Sequence, residues 1–600
     1  MNRREFLSTT AAAALTASAS EAAAKPRDVF TPLALGEARP AGLIGQRIEL
    51  TARGNLLKLD IDKDFLEPFR QKHGKGDYVG AGKLLDSAVR MAAYTKDPAL
   101  IALKDRVAEG LIANQLADGY IGWYRPASRI VKAWDIHEMG YIQYGLVADY
   151  RLFGKRTSLD AARRVGDHLI AKLAGKLPGI LQEPEIHPPM LMTGLDRAML
   201  ALHAATGDSR YLDFIVKDLD VPNWKLEIVE GRRPPYYGHA YAYTTRTLAQ
   251  VELYHLTGDE SLLSQSQREI DYLRRRGGWL ITGSAGKSEC WHSDQSGDGE
   301  LTETCATAYF IRLFDTLLRM EGASVYGDMM ERAIYNALFG AQSPDGRRLR
   351  YWTPFDGPRV YWPRDTYCCP CNFRRMIAEL PQLVAYRWGD GLALNLYGAS
   401  TVKTTLANGV ECELRQESDY PNSGTVVLRV DPKRPAAFPL RLRVPRWSEN
   451  YRASVNNEPQ PGPKDGWLEI KRRWRAGDRV EIDMGMTWRL VEGTRKQRGR
   501  VAVMRGPQVF TLNPKRNPDI ATADLKNLVL SPLSFLPVKP DASLRSDGIA
   551  CQVRATAIGA DRRGRDVILT LTEFPDPEGE ATYFLAPRTS KARIDEITEG

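Results

Sequence analysis

Five of the seven cysteines in this 600-residue chain, Cys290, Cys305, Cys368, Cys369 and Cys371, fall in one stretch, and acidic residues accompany them. They lie in SECWHSD with Glu289, in ELTETCAT with Glu303 and Cys305, and in TYCCPCNFRRM with Cys368, Cys369 and Cys371. Thiolates joined by a carboxylate or an imidazole are the donors of a tetrahedral zinc site. Glu303 and Cys305 are two residues apart and cannot share one face inside a helix, so TETCAT must be extended or at a helix start. Cys368 and Cys369 precede Pro370, a helix-start signal, and the dipole there favours thiolate. The two short pairs can thus converge on one metal. The same residues leave two other readings open: structural disulfides linking the adjacent pair to Cys290 and Cys305, and a closed structural zinc.

The elements that must position these residues are helical first. From about residue 80 to 340 apolar side chains follow helical spacing, as in LLDSAVRMAAY, GYIQYGLVADYRLFG and GLDRAMLALHAATGD. Breaks around Lys96, Gly154, Gly207, Gly258 and Gly322 recur roughly every 50 to 65 residues, the length of two helices and their loops. Glycine just past a helical run is a C-cap, and the Asp or Ser that follows can cap the next helix. With the helix expected after Pro370, about six helical hairpins result. They suit a closed (α/α)6 toroid, with an open solenoid as the alternative. Beyond about residue 388 short Val-, Leu- and Thr-rich runs alternate at period two between turn residues, the pattern of two β-sandwiches joined near VEGTRKQRGR. The expected division is an export signal at 1–24, a helical catalytic domain at 25–387, and sandwiches at 388–492 and 493–600.

The chain opens MNRREFLSTTAAAALTASASEAAAKP: paired arginines, a short apolar segment and small-residue cleavage sites. This order reads as a twin-arginine signal, so partners should include that export machinery and the mature protein should be periplasmic or extracellular. Proteins exported already folded can take up metal in the reducing cytosol, before an oxidising compartment could pair their thiols. The apolar segment is too short to span a bilayer, and no later stretch is long enough. Composition is that of a globular chain, 43% hydrophobic and 26% charged. The +9 charge is not gathered into a basic run, so no nucleic-acid partner is expected. Cys412 and Cys551, in the strand-rich part, should be buried and inert.

The order of the motifs resembles glycoside hydrolase family 127, the β-L-arabinofuranosidase family. It runs from DGY at 118 through HEMGY at 137, GHA at 238, ETC at 303, CCPCN at 368, DYP at 419 and RVPRW at 443 to RGP at 505. The resemblance implies an (α/α)6 barrel followed by β-sandwiches, and a retaining glycosidase acting on a plant-type glycan. Cys368 matches the nucleophile and Glu289 the general acid/base. Glu303, Cys305, Cys368 and Cys369 match the ligands of Zn2+, and His137, His239 and Tyr351 match residues around the sugar. Trp134 and Trp291 flank these segments and could stack on sugar rings or simply pack.

Three departures stand out. Met192 or Thr193 occupies the place of a family histidine, Cys371 replaces a proline of the CC-P-P-N pattern, and Cys290 follows the acid/base position. They bear on which sugar is bound more than on the reaction type. The readings left standing are a β-L-arabinofuranosidase, a same-fold glycosidase of other sugar specificity, and a non-catalytic sugar-binding protein with a structural zinc.

Overall fold

The computed structural model describes residues 26–599 except 75–77, 178, 181–192, 234–235, 521–524, 526, 559–562 and 588–589. The expected export signal and Met192 therefore lie outside the described residues. Helices alternate between an outer and an inner ring. In chain order they are α1 (Gly42–Glu49), α2 (Ala81–Thr95), α3 (Pro98–Ala113), α4 (Ala133–Phe153), α5 (Arg156–Leu173) and α6 (Leu195–Thr206). There follow α7 (Ser209–Asp213), α8 (Ala240–Thr257), α9 (Ser264–Arg275), α10 (Thr304–Glu321), α11 (Ser324–Ala333) and α12 (Cys368–Glu379).

The even-numbered helices close a ring: α2 packs on α4, then α6, α8, α10 and α12 in turn, and α12 returns to α2. This is the expected (α/α)6 toroid rather than an open solenoid. Each of the first five inner helices ends at a left-handed residue, Lys96, Gly154, Gly207, Gly258 or Gly322, at φ 58, 69, 73, 77 and 70°. Its N–H bonds back four residues, and the chain reverses into the outer partner. Asp97, Asp208 and Asp259 then cap the following helix by accepting from an N–H two residues on. The sixth pair does not come from one hairpin: α12 packs against α1, so the amino-terminal segment closes the toroid.

The same segment also joins the first β domain. Thr31–Pro32 edges a five-stranded sheet with Ala385–Trp388, Gly391–Leu394, Ala436–Arg443 and Trp467–Trp474, and Ala38–Pro40 edges a seven-stranded sheet. Val426, Leu428 and Val430 from one sheet and Leu440, Leu442 and Trp474 from the other are buried in a shared core. The second β domain begins at Trp488 and encloses its core with one continuous sheet rather than two stacked ones. Tyr583–Leu585 pairs with both Leu528–Phe535 and Arg500–Arg505, so the sheet curls over itself. A register shift between Leu530 and Phe535 supplies the bend.

Both β domains brace the barrel wall at α11 and just beyond it. Arg443, fully buried in its strand, pairs with Asp328 and with Glu331 at 2.8 Å, while Arg332 reaches Asp595 at 2.9 Å. Asn336, beyond α11, bonds the backbone of Pro507 and Val509. No helix among the described residues is long and apolar enough to cross a membrane.

Candidate active site

The chemistry-bearing residues gather where the inner helices begin. Glu303 is the N-cap of α10, Cys368 opens α12, His239 caps α8 and His137 lies in the first turns of α4. Backbone pairing fixes each start. Thr304 N–H bonds Tyr351 O at 2.9 Å, which lays the Tyr351 segment beside Glu303, and Tyr367 N–H bonds Val79 O at 2.9 Å, which ties α12 to the residues before α2. The loop after α9 folds back so that Ala240 N–H bonds Glu289 O at 2.9 Å, pinning the glutamate to α8. Ser288, Glu289, Thr302 and Tyr367 all hold positive φ, at 49, 68, 54 and 94°. Such conformations cost of order 1 kcal/mol or more each and cluster where a structure over-determines side-chain placement.

The thiols of Cys305 and Cys369 are 3.2 Å apart, those of Cys368 and Cys369 3.9 Å, and Cys369 Sγ is 3.4 Å from Glu303 Oε1. One donor atom from each of Glu303, Cys305, Cys368 and Cys369 lies within 4.8 Å of the others. The second carboxylate oxygen, Glu303 Oε2, is buried without a hydrogen-bond partner. An orphaned oxygen beside three buried thiols is costly unless something cationic sits among them. This donor set fits a metal ion, and the cysteines are free rather than disulfide-bonded. Burial works against ionising any of these groups and pushes Cys305, Cys369 and Glu303 up. Against that burial, contacts from Cys305 and Cys369, the Lys83 ammonium and the Tyr351 hydroxyl hold Cys368 well below the usual thiol value.

Tyr351 joins the thiols to the acid. Its hydroxyl donates to Glu289 Oε1 at 2.5 Å and lies 3.4 Å from Cys368 Sγ. Arg232 donates to Glu289 Oε2 at 2.6 Å, and His239 Nε2 faces the same oxygen at 3.9 Å. Burial holds His239 below the usual imidazole range. A nucleophilic sulfur, a carboxyl and a bridging phenol thus share one cavity with the metal-ligand set. That is the equipment for attack and proton transfer at a single centre.

A profile of the β-L-arabinofuranosidase GH127 catalytic domain matches residues 67–382, and one of the GH127 middle domain matches residues 391–486. The chain belongs to glycoside hydrolase family 127. As a family 127 member it is a glycoside hydrolase, and glycans are its substrates. Its curated relatives include a non-reducing end β-L-arabinofuranosidase from Bifidobacterium longum subsp. longum, 27% identical over 509 residues, covering 73% of this chain and 75% of the relative. Among solved structures, a GH127 β-L-arabinofuranosidase from Geobacillus stearothermophilus T6 superposes with a TM-score of 0.77 at 23% identity, covering 92% of this chain and 100% of that one. A second GH127 β-arabinofuranosidase gives 0.79 at 23% identity, covering 94% and 99%. These two speak to the fold.

Within the family 127 barrel, the residues expected around the sugar occupy different depths. His239 and Tyr351 face Glu289 directly. His137 is only 1% exposed: its Nε2 is 3.3 Å from Lys83 Nζ and its Nδ1 bonds Thr193 Oγ1. Trp134 packs edge-on against His137 beside the site, whereas Trp291 is buried among Tyr243, Tyr272 and Phe310 and is a core residue. Cys290 turns away from the thiol cluster into the pairing with His239 and Lys287, and Cys371 Sγ accepts from Arg374 at 3.6 Å. Burial raises both thiols to about 11. Cys412 and Cys551 are buried, as expected.

Sequence reasoning missed a supporting layer. Asn372 Nδ2 donates to Cys305 Sγ at 3.2 Å while its Oδ1 accepts from Arg375 at 3.1 Å, and Arg375 in turn pairs with Asp86 at 2.7 Å. The phenols of Tyr141, Tyr241 and Tyr309 form a hydrogen-bonded knot, with Tyr141 at 2.6 and 2.7 Å from the other two. Polar residues on inner-helix faces are the signal that could have found this layer.

Proposed function

We propose that the protein is a retaining exo-glycosidase that releases β-L-arabinofuranosyl units from plant-type glycans through a cysteine nucleophile. The sugar assignment is supported by the names of the relatives above. The observation that carries the mechanism is the single phenol oxygen shared by acid and sulfur. Touching Tyr351 Oη at 2.5 and 3.4 Å, Glu289 Oε1 and Cys368 Sγ lie at most about 6 Å apart. Inverting enzymes leave roughly 6.5–9.5 Å between their reacting groups for a water, whereas retaining ones need only about 5–5.5 Å.

Glu303, Cys305, Cys368 and Cys369 would hold Zn2+, which when bound keeps its thiol ligands deprotonated at neutral pH. In the first step Cys368 Sγ forms a bond to the anomeric carbon as the glycosidic C–O bond breaks, and Glu289 gives its proton to the leaving oxygen. In the second, water attacks the same carbon, its proton passes to Glu289, and the C–S electron pair returns to sulfur. Two inversions give net retention. Arg232 and Tyr351 hold the Glu289 carboxylate in place for both transfers. The amino-terminal sequence supports export by the twin-arginine route to the periplasm or beyond. A neighbouring reading, a related furanoside as substrate, is favoured by Thr193, which occupies or adjoins a family histidine position and bonds His137.

Cys368→Ser and Glu289→Gln test the mechanism. Each should lower kcat on an alkyl β-L-arabinofuranoside by about 1,000-fold or more, with ligand binding by calorimetry largely intact. Wild-type turnover by Cys368→Ser would reject the cysteine nucleophile.

A further inference from the structure

One buried cation near the site has no anionic partner of the usual kind. Lys83, in the first turn of α2, is 0% exposed, and no carboxylate among the described residues lies within ion-pair distance of its Nζ. It sits instead 4.9, 4.3 and 5.0 Å from the ring centres of Tyr78, Tyr141 and Tyr241. Burying an ammonium is expensive unless its surroundings compensate. Burial opposes its charge, but the phenol of Tyr141 and the thiols of Cys305 and Cys368 more than restore it. Its one close side-chain nitrogen is His137 Nε2, at 3.3 Å.

An ammonium can only donate. His137 Nε2 must therefore accept, which puts the imidazole proton on Nδ1, where it is donated to Thr193 Oγ1. His239 is the opposite case: its Nδ1 accepts from Ala242 N–H at 3.4 Å, leaving Nε2–H to face Glu289. The His137 ring is further fixed edge-on to Tyr78 at 4.6 Å and Trp134 at 5.3 Å. We propose that Lys83 is a positioning residue of the sugar site: it locks His137 as the Nδ1–H tautomer, with both ring nitrogens engaged away from the sugar. The wall at α4 then offers a fixed C–H edge, and the imidazole donor to substrate is His239 alone. Lys83 acts on specificity through His137, by denying the sugar a second imidazole partner. The proposal rests on reading this cavity as the sugar site.

The test is nitrogen NMR of protein labelled with 15N-histidine, in which His137 is identified among the eight histidines by its loss in His137→Phe. The wild type should show a protonated Nδ1 and a bare Nε2 for His137 between pH 6 and 8. Lys83→Met should move the proton to Nε2 or mix the tautomers. On an alkyl β-L-arabinofuranoside, Lys83→Met should raise KM roughly tenfold, as for one misplaced polar contact, with kcat within about twofold. In a His137→Phe background the same substitution should add nothing to KM. A wild-type proton on Nε2, an unchanged tautomer in Lys83→Met, or additive effects on KM would each overturn the proposal. The spectrum needs no sugar, so it stands apart from the substrate assignment, and the wild-type spectrum decides even if Lys83→Met fails to fold.

Discussion

Removing the Tyr351 hydroxyl isolates the link between acid and nucleophile. In Tyr351→Phe the ring keeps its packing on Trp352, Trp362 and Tyr367, at 4.6, 5.1 and 6.1 Å, so the pocket shape survives. What is lost is one hydrogen bond to the Glu289 carboxylate and one contact to Cys368. Glu289 retains Arg232, but that arginine is exposed and contributes less than a buried donor. A buried hydrogen bond to a charged acceptor is worth about 1.5–3 kcal/mol. Since the bond holds the acid in its reacting position, the loss should fall on kcat, lowering it about 10- to 150-fold with KM little changed. The assay is steady-state hydrolysis of an alkyl β-L-arabinofuranoside, whose poor leaving group needs the acid, alongside metal content and thermal midpoint. Wild-type kcat in a folded, metal-loaded Tyr351→Phe would refute the bridging role. An equal fall traced to lost metal would move the role of Tyr351 from the acid to the thiol cluster.

Chemically distinct perturbations should separate the remaining groups. Cys371→Ala and Cys290→Ala should keep one metal per chain and near-wild-type turnover, whereas Cys369→Ala should lose both, by elemental analysis and activity. Arg443→Met strands two buried carboxylates, Asp328 and Glu331, and should cost about 3–5 kcal/mol in urea unfolding. Glu269 is fully buried with Oε2 unpartnered and Thr244 on Oε1 at 2.5 Å, and burial raises its pKa to about 8. The folded state therefore keeps a proton that the unfolded chain releases above about pH 4.5. Stability conferred below that pH is lost as pH climbs to about 8, on the order of 1 kcal/mol per pH unit. Glu269→Gln should flatten that slope between pH 5 and 8, and an unchanged slope would reject it. Lys96→Gly, at the one helix end where a non-glycine residue takes the left-handed C-cap, should stabilise the fold by about 0.5–1 kcal/mol in the same assay.

The barrel was legible because its punctuation is local. Gly154, Gly207, Gly258 and Gly322 each mark a C-cap, and their recurrence reports the hairpin unit. The closing partner was not legible: α1 meets α12 across more than 300 residues, and nothing in its own spacing points there. The thiol cluster could be read because Glu303 and Cys305 at a helix start, and Cys368 and Cys369 before Pro370, constrain their own geometry. Lys83, Asn372 and Tyr309 could not, since on an inner helix a polar residue aimed at the barrel axis has the same spacing as one aimed at solvent. Trp291 flanks the acid in sequence, but the backbone turns between them and sends its ring into the core.

The claim that a cysteine performs the attack is met most directly by trapping. The metal-loaded protein would be treated with a cysteine-directed β-L-arabinofuranosyl mimic, weighed intact, and the labelled peptide mapped. One label per chain on Cys368, absent in Cys368→Ser, is the expected result. Label on Glu289, or an unmodified Cys368 in protein that retains its metal and has been inactivated by the reagent, would contradict it.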